Sequence, residues 1–399
     1  MTGGFDPGRL NRLEAVMAGY AERLEVPGLG WLVARRGEVK TGVAGSLAVG
    51  GTTPVARDSI FRISSMTKPV TAVAALILVE ECVLRLDDPV DRFLPELADR
   101  RVVATPGGPL DDTVPAARPI TLRDLLTFRM GIGYDFSAMH AQPVLAAMAQ
   151  LDLGVGPPAP GGVPEPDEWI RRFGTLPLMH QPGERWLYNT SSDVLGVLVA
   201  RASGQALEQF LRERIFDPLG MRDTGFFVAA GAQARFTHAY STNPSTSARE
   251  LYDAPHGQWS RRPAFPSGAG GLVSTLDDYR AFAEMLRAGG ALNGRRILSR
   301  PSLETMTSDQ LTPEQRAVSG VDAVGAAGWG FGVAVQVRST GPTAPVGRYG
   351  WEGGLGSSWA NDPREDLVGI VLTNQARTTS SPPPIADDFW TCAYAAIED

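Results

Sequence analysis

The run PVTAVAALILV at residues 69–79 restricts the fold most, because it is apolar on every side of a helix. A helix without a polar face has to be buried all round, in a core that other elements build around it. The residue directly before the run is Lys68. The sequence therefore predicts a core helix whose first turn carries a lysine into the interior.

Lys68 also stands out by its residue type. Of the 37 Lys and Arg residues in the chain, only Lys40 and Lys68 are lysines. An arginine is in effect never deprotonated, whereas a lysine loses its proton when it is desolvated or crowded by positive charge. A lysine kept in an arginine-rich chain is therefore a candidate proton acceptor, the alternative being an ordinary surface charge.

Ser65, three residues before Lys68, gives that candidate a partner, since SSMTK contains the pattern S-x-x-K. If Ser65 begins the buried helix, Lys68 lies one turn further on, beside the hydroxyl. Burial and the positive end of the helix dipole both favour a neutral lysine, which can take the proton of Ser65. The alternative is a Ser N-cap followed by a lysine that reaches solvent.

The order of predicted elements indicates the α+β class. Alternating segments such as LGWLVAR near the start and LVGIVLTNQ near the end are typical of antiparallel strands, and helical patterns fill the middle. We therefore expect an antiparallel sheet flanked by helices and built from both chain termini, with an inserted mainly helical lobe. The predicted division is 1–75 together with 265–399 for the sheet domain and 76–264 for the helical domain, with the active site in the cleft between them.

The segment DSIFRISSMTKPVTAVAAL closely resembles the nucleophile region of the serine β-lactamase and penicillin-binding-protein superfamily. It is most similar to class C β-lactamases and to the related family VIII carboxylesterases. Segments such as ITLRDLLTFRMGIG, PGERWLYNTSSDVLGVLVARASG and GAGGLVSTLDDY resemble that family in the same order along the chain. The resemblance implies a β-lactamase/DD-peptidase-like fold and a serine that becomes acylated.

The resemblance also assigns a second catalytic residue, Tyr188 in WLYNTSSDVLG. Its implied role is that of a partner base, which with Lys68 moves the proton of Ser65 to the leaving group. A phenol titrates near pH 10, so this role calls for a neighbouring cation. Two residues after the tyrosine, class C β-lactamases have Asn, whereas this chain has Thr190, with Asn189 displaced by one position. We therefore expect the amide that contacts a β-lactam to be absent.

The third family element, K-T-G or a variant with His, is best matched by Trp351, Glu352 and Gly353, followed by Gly354. The two glycines would let an acyl group approach the backbone. By resemblance, the backbone N–H groups of Ser65 and Gly354 form the oxyanion hole. Trp351 stands where a cation would hold a substrate carboxylate, and esterases of this family tolerate that loss. The alternative for this segment is a turn between strands with Trp351 in the core.

Composition limits the remaining functions. A net charge of -7 and a pI near 5.3 argue against a nucleic-acid partner. No H-E-x-x-H or G-x-S-x-G motif is present, and the histidines and two cysteines have no ligand spacing, so we expect no metal and no cofactor. No secretory signal and no apolar stretch long enough to span a membrane is visible, so we expect a cytoplasmic protein without a membrane partner.

The leading hypothesis is a cofactor-free serine hydrolase that forms an acyl-enzyme on Ser65 and hydrolyses short-chain or compact carboxylic esters. A β-lactamase or D-amino-acid peptidase on the same machinery is the first alternative, and weak β-lactamase activity is compatible with an esterase. An acyltransferase is a second alternative. A catalytically silent binding protein is the third, against which the complete set of Ser65, Lys68 and Tyr188 argues. The oligomeric state stays open.

Overall fold

The computed structural model describes residues 4–137, 142–321, 325–378 and 383–399. Their strands, numbered along the chain, are β1 (Gly28–Arg35), β2 (Glu38–Gly45), β3 (Phe61–Arg62), β4 (Arg101–Val103), β5 (Thr113–Pro115), β6 (Ala239–Thr242), β7 (Arg249–Asp253), β8 (Val273–Ser274), β9 (Ala291–Leu292), β10 (Arg295–Arg296), β11 (Ala327–Trp329), β12 (Ala334–Gln336), β13 (Tyr349–Gly353), β14 (Ser357–Asp362) and β15 (Leu367–Thr373). Their helices are α1 (Pro7–Glu22), α2 (Thr67–Glu80), α3 (Leu122–Leu126), α4 (Pro143–Gln150), α5 (Pro166–Gly174), α6 (Thr190–Ser203), α7 (Leu207–Leu211), α8 (Asp217–Leu219), α9 (Leu276–Arg287), α10 (Arg300–Met306), α11 (Pro313–Ala317) and α12 (Pro384–Ala395).

The main sheet has seven strands in the order β11-β12-β13-β14-β15-β1-β2, and all neighbours are antiparallel. Strand β1 pairs with β15 from the other end of the chain, with Leu32 opposite Ile370. Every residue of β1 is buried because helices cover both faces of the sheet. The predicted α+β class, with a sheet built from both termini, is confirmed.

Alternate side chains of β1 enter two different cores, as expected for a strand covered on both sides. Trp31 and Val33 pack with α1 and α12, whereas Leu32 joins the larger core around α2 and α9. Gly369 in β15 lets α12 lie close against the sheet, because a Cβ at this position would collide with the ring of Trp390 in α12. The sheet therefore lies between the helices α1 and α12 on one face and the larger core around α2 and α9 on the other.

The predicted core helix is α2, in which every residue from Thr67 to Leu78 is buried. It packs against α6, and α6 in turn contacts α3, α5 and α7. The proposed domain boundary at residues 75 and 76 lies inside α2, and the division into two domains stays a prediction.

One detail at the N-terminus differs from the helical pattern of the sequence, which places Leu10, Leu13, Met17 and Leu24 on one side. The first three are buried in α1, but Leu24 lies beyond the end of the helix at φ 56° and is 65% exposed. Periodicity alone does not show where a helix stops. None of the helices within the described ranges is long and apolar enough to cross a membrane.

Candidate active site

Ser65 lies in a single 3-10 turn, Ser64–Met66, directly before α2. Ser64 adopts φ 48°, a left-handed conformation that is unfavourable for a residue with a side chain, and such strain is common at functional sites. Ser65 is 9% exposed, at the floor of a cleft. Lys68 sits in the first turn of α2, fully buried, with its Nζ 2.8 Å from Ser65 Oγ.

The Lys68 amine has two further partners. Its Nζ donates to Asn189 Oδ1 at 2.8 Å and to the Ala269 carbonyl at 2.7 Å. A neutral amine has two N–H groups and one lone pair, so it can keep both of these bonds while it accepts a hydrogen bond from the Ser65 hydroxyl. An ammonium donates to all three oxygens. The same positions therefore hold Lys68 before and after it takes a proton.

Burial controls the protonation of Lys68. No carboxylate of the described residues forms an ion pair with Nζ, and desolvation lowers the pKa of Lys68 to about 7, while the charge of Asp193 opposes the decrease. Of the two causes expected from the sequence, the helix N-terminus and burial, burial is the one that lowers the pKa most. A large fraction of Lys68 is then neutral at physiological pH.

Tyr188 lies beside this pair, with Lys68 Nζ 4.6 Å from the centre of its ring. Its hydroxyl accepts a hydrogen bond from Trp351 Nε1 at 2.8 Å. Burial raises the pKa of Tyr188 to about 12, and hydrogen bonds with Ser65 and Trp351 oppose that rise. We expected a neighbouring cation to lower this pKa, but the net effect has the opposite sign, because desolvation exceeds the electrostatic help. The Tyr188 hydroxyl is therefore protonated at neutral pH.

Trp351 in β13 stands where related enzymes have a cation that holds a substrate carboxylate. Its N–H does not take over that role, because it donates to the Tyr188 hydroxyl. Its indole ring packs against Trp329 at 4.7 Å between ring centres, at an angle of 89°. Phe128 and Trp186 complete this aromatic cluster around the Tyr188 ring. Both readings of Trp351 from the sequence thus apply in part, since it is packed in a core and also contacts the site.

The two glycines after Trp351 have different surroundings. Gly353 is buried, and a Cβ there would collide with the Ile63 carbonyl and Ser357 Oγ, so its small size lets β13 approach the chain just before Ser65. Gly354 lines the cleft. In the part of the chain that the structure describes, the backbone N–H groups of Ser65 and Gly354 donate no hydrogen bond. Both are available to a ligand.

The position two residues after Tyr188 was expected to lack an amide. Thr190 is indeed buried as the first residue of α6, but Asn189 brings its own amide to Lys68. Asn189 can do so because it is the central residue of a γ-turn at φ 83° and ψ -68°, in which the Thr190 N–H donates to the Tyr188 carbonyl at 3.3 Å. An amide is thus present beside Lys68, because a backbone angle that spacing does not reveal turns the Asn189 side chain inward, while the absence of an amide contact with a β-lactam stays a prediction.

Sequence reasoning missed the residues that support Lys68 from the far side. Ala269 supplies a backbone carbonyl, which no side-chain motif reports. Asp193 lies four residues after Asn189 on α6 and is buried. Its spacing, one helical turn from Asn189, is the only signal in the sequence that could have revealed it.

The cleft above Ser65 has a volume of about 1030 Å³. Its wall is largely apolar and aromatic and includes Phe136, Tyr134, Pro157, Pro158 and Leu355. An ion pair between Arg377 and Glu352 lies at its other side. The Pro/Gly-rich stretch around Pro157 is thus part of the cleft. In the described ranges, no three His, Cys, Asp or Glu side chains are grouped to hold a metal ion.

The fold, with a buried Ser-x-x-Lys turn against β13 and a tyrosine beside it, is that of the serine β-lactamase and penicillin-binding-protein superfamily. The sequence model of the β-lactamase family matches residues 13–387, and the chain belongs to this family. The family resemblance found in the sequence is thereby confirmed.

Characterised and uncharacterised relatives share most of the chain. Protein Rv1367c of Mycobacterium tuberculosis (strain ATCC 25618 / H37Rv) is 40% identical over 328 residues, or 80% of this chain and 78% of that protein. Esterase EstB of Burkholderia gladioli is 31% identical over 391 residues, or 93% and 92%. The solved structure of EstCE1, a hydrolase with promiscuous acyltransferase activity, has a TM-score of 0.77 at 24% identity and covers 97% of this chain and 99% of that chain. This protein is a β-lactamase-fold hydrolase related to esterases and acyltransferases.

The low pKa of Lys68 predicts a pH-dependent contribution to stability. Between pH 7 and the ordinary lysine pKa of 10.5, the unfolded chain binds a proton at Lys68 that the folded chain does not, so stability rises with pH. Relative to Lys68→Met, the wild type should gain about 1.4 kcal/mol of unfolding free energy per pH unit above pH 7. Urea denaturation of both proteins at pH 7, 8 and 9 measures this gain, and parallel curves would show that Lys68 is charged in the fold.

Proposed function

We propose that the protein is a carboxylic ester hydrolase that forms an acyl-enzyme on Ser65. The observation that carries the proposal is the environment of Lys68, a buried amine with a pKa of about 7 that lies 2.8 Å from Ser65 Oγ. A general base works best when its pKa is near the operating pH and when it lies within hydrogen-bond reach of the proton it removes. Lys68 meets both conditions.

Acylation follows from this geometry. Neutral Lys68 takes the proton of Ser65 while Oγ forms a bond to the ester carbonyl carbon. The carbonyl oxygen becomes negative, and the unpaired N–H groups of Ser65 and Gly354 are suited to stabilise it. When the bond to the leaving alcohol breaks, Tyr188 donates its proton to the alcohol oxygen, and the Lys68 ammonium restores the proton of Tyr188.

Deacylation uses Lys68 as the base again, with water in place of Ser65. Lys68, again neutral, accepts a proton from a water molecule that attacks the acyl carbon. The tetrahedral intermediate collapses, the bond between the carbonyl carbon and Ser65 Oγ breaks, and the Lys68 ammonium returns a proton to Oγ. An alcohol in place of the water would give acyl transfer by the same steps.

The substrate is a small ester with an apolar portion, for which the aromatic and proline wall of the cleft is suited. Short-chain or compact acyl groups are our proposal, and p-nitrophenyl esters of increasing chain length rank them directly. A β-lactam is less favoured, because the groups that would grip it are occupied. The Trp351 N–H is used by Tyr188, and the Asn189 oxygen is used by Lys68.

The first test is covalent labelling. Intact-mass spectrometry after treatment with a fluorophosphonate should show one adduct, and Ser65→Ala should abolish it because the nucleophilic oxygen is gone. Ser64→Ala is the matched control, since it removes the neighbouring buried hydroxyl, which has no hydrogen-bond partner, and it should leave the adduct in place. An adduct that persists in Ser65→Ala would place the nucleophile elsewhere.

The second test separates a base from a charge at position 68. Lys68→Arg should lose about 10²–10⁴-fold in kcat/KM for a p-nitrophenyl ester, as much as Lys68→Ala, because arginine stays protonated. Thermal melting controls for folding, because arginine is also larger. A well-folded Lys68→Arg protein within about threefold of wild type would eliminate the proton-acceptor role.

The third test concerns substrate class. Loss of a charge-assisted hydrogen bond to a carboxylate costs about 1.5–3 kcal/mol, or roughly ten- to a hundred-fold in rate or more. We therefore expect kcat/KM for p-nitrophenyl butyrate to exceed that for a chromogenic cephalosporin by at least this factor. The reverse order, measured on the same preparation, would favour a β-lactamase.

A further inference from the structure

Asp193 is a buried acid near Lys68 to which the mechanism above assigns no step. It lies on α6, one turn after Asn189. Its side chain is 7% exposed, and no arginine or lysine of the described residues forms an ion pair with it. A buried carboxylate without a cationic partner is costly, so its presence calls for a specific role.

Asp193 reaches Lys68 through a short loop. Its Oδ1 accepts from Ser267 Oγ at 2.6 Å and from the Ala269 N–H at 3.2 Å. The carbonyl of the same Ala269 accepts from Lys68 Nζ at 2.7 Å. One residue of the loop thus binds the carboxylate through its N–H and the amine through its C=O.

The loop is also clamped between the two core helices. Thr71 in α2 donates its hydroxyl to the Gly268 carbonyl at 2.8 Å. On the other side, a Cβ on Gly268 would collide with the Ser192 carbonyl of α6. The position of the Ala269 carbonyl is therefore set by α2, by α6 and by the Asp193 carboxylate together.

We propose that Asp193 is a positioning residue for the reaction, which acts on Lys68 through the loop Ser267–Ala269 and by its negative charge. The inference rests on the proposed function of Lys68 as the base for Ser65. The loop keeps the Lys68 amine directed at Ser65 while the amine gains and loses its proton. The carboxylate supplies a negative charge close to the buried Lys68 ammonium, which otherwise has no opposite charge near it among the described residues.

The charge has a consequence for pH. Asp193 raises the pKa of Lys68 against the larger lowering by burial, and Lys68 lowers the pKa of Asp193, which burial raises. The other titratable groups around the pair are Tyr134 and Tyr188, and beyond Tyr188 the paired Glu352 and Arg377. The loop Ser267–Ala269 contributes none. Removal of the Asp193 charge should therefore make Lys68 lose its proton at lower pH.

The test is the rate of Ser65 labelling by a fluorophosphonate, measured from pH 5 to 9 in wild type and in Asp193→Asn. Asparagine keeps the shape and the Oδ1 acceptor and removes only the charge. The midpoint of the rate profile should move to lower pH by about one unit, the size expected for the loss of a nearby opposite charge. An unchanged midpoint in a folded Asp193→Asn protein would reduce Asp193 to a structural residue and overturn the proposal.

Two further variants isolate the effect. Asp167→Asn removes the same charge from an exposed residue of α5 that pairs with Arg201, and it should leave the midpoint in place. Asp193→Glu keeps the charge and should retain the wild-type midpoint even if the plateau rate falls.

If Asp193→Asn does not fold, Ser267→Ala replaces it, because it removes the hydroxyl that donates to the carboxylate and accepts from the N–H groups of Ala269 and Gly270. We expect labelling at pH 7 to slow at least about threefold, and an unchanged rate would overturn the proposal. Absence of labelling in wild type at any pH would reject the proposed function and this inference together. If the wild type is labelled but neither Asp193→Asn nor Ser267→Ala changes its labelling, this inference is rejected and the proposed function stands.

Discussion

The site depends on the burial of one amine. Lys68 is held inside the core with three oxygen partners and, within the described ranges, no ion-paired carboxylate, and this environment disfavours its charged form. Three acceptors around one nitrogen suit an ammonium, yet two of them are also satisfied by a neutral amine whose lone pair faces Ser65. The site can thus pass between both protonation states without moving, which keeps the energetic cost of proton transfer low.

The fold builds this environment from elements far apart in sequence. The apolar α2 carries the lysine inward, α6 and the turn before it bring Asn189 and Asp193, and the loop Ser267–Ala269 closes the far side. Strand β13 places Trp351 against Tyr188, and Gly354 follows the strand with an N–H that donates to no group among the described residues. Because burial lowers the pKa of Lys68 and raises that of Tyr188, the proposed mechanism gives the two residues beside Ser65 distinct roles, a proton acceptor and a proton donor.

Much of this arrangement was readable from the sequence, for physical reasons. An all-apolar run predicts a core helix and therefore a buried Lys68, and S-x-x-K places the candidate nucleophile Ser65 one turn away. The family resemblance located Tyr188 and Trp351. The contribution of Asn189 and the Ala269 carbonyl could not be predicted, because one depends on a positive φ and the other on the backbone of a distant loop. The pKa of Tyr188 rises because its hydroxyl is desolvated, and the extent of desolvation depends on packing that the sequence does not show.

The protonation of Lys68 can be observed directly because the chain contains only two lysines. Labelling with [ε-¹³C]lysine gives two side-chain NMR signals, and the variant Lys40→Arg leaves that of Lys68 alone. If Lys68 is the buried base, its chemical shift titrates with a midpoint near 7 in the folded protein. A midpoint near 10.4, the ordinary value for a solvated lysine, would show that Lys68 is an ammonium at neutral pH and cannot accept the proton of Ser65.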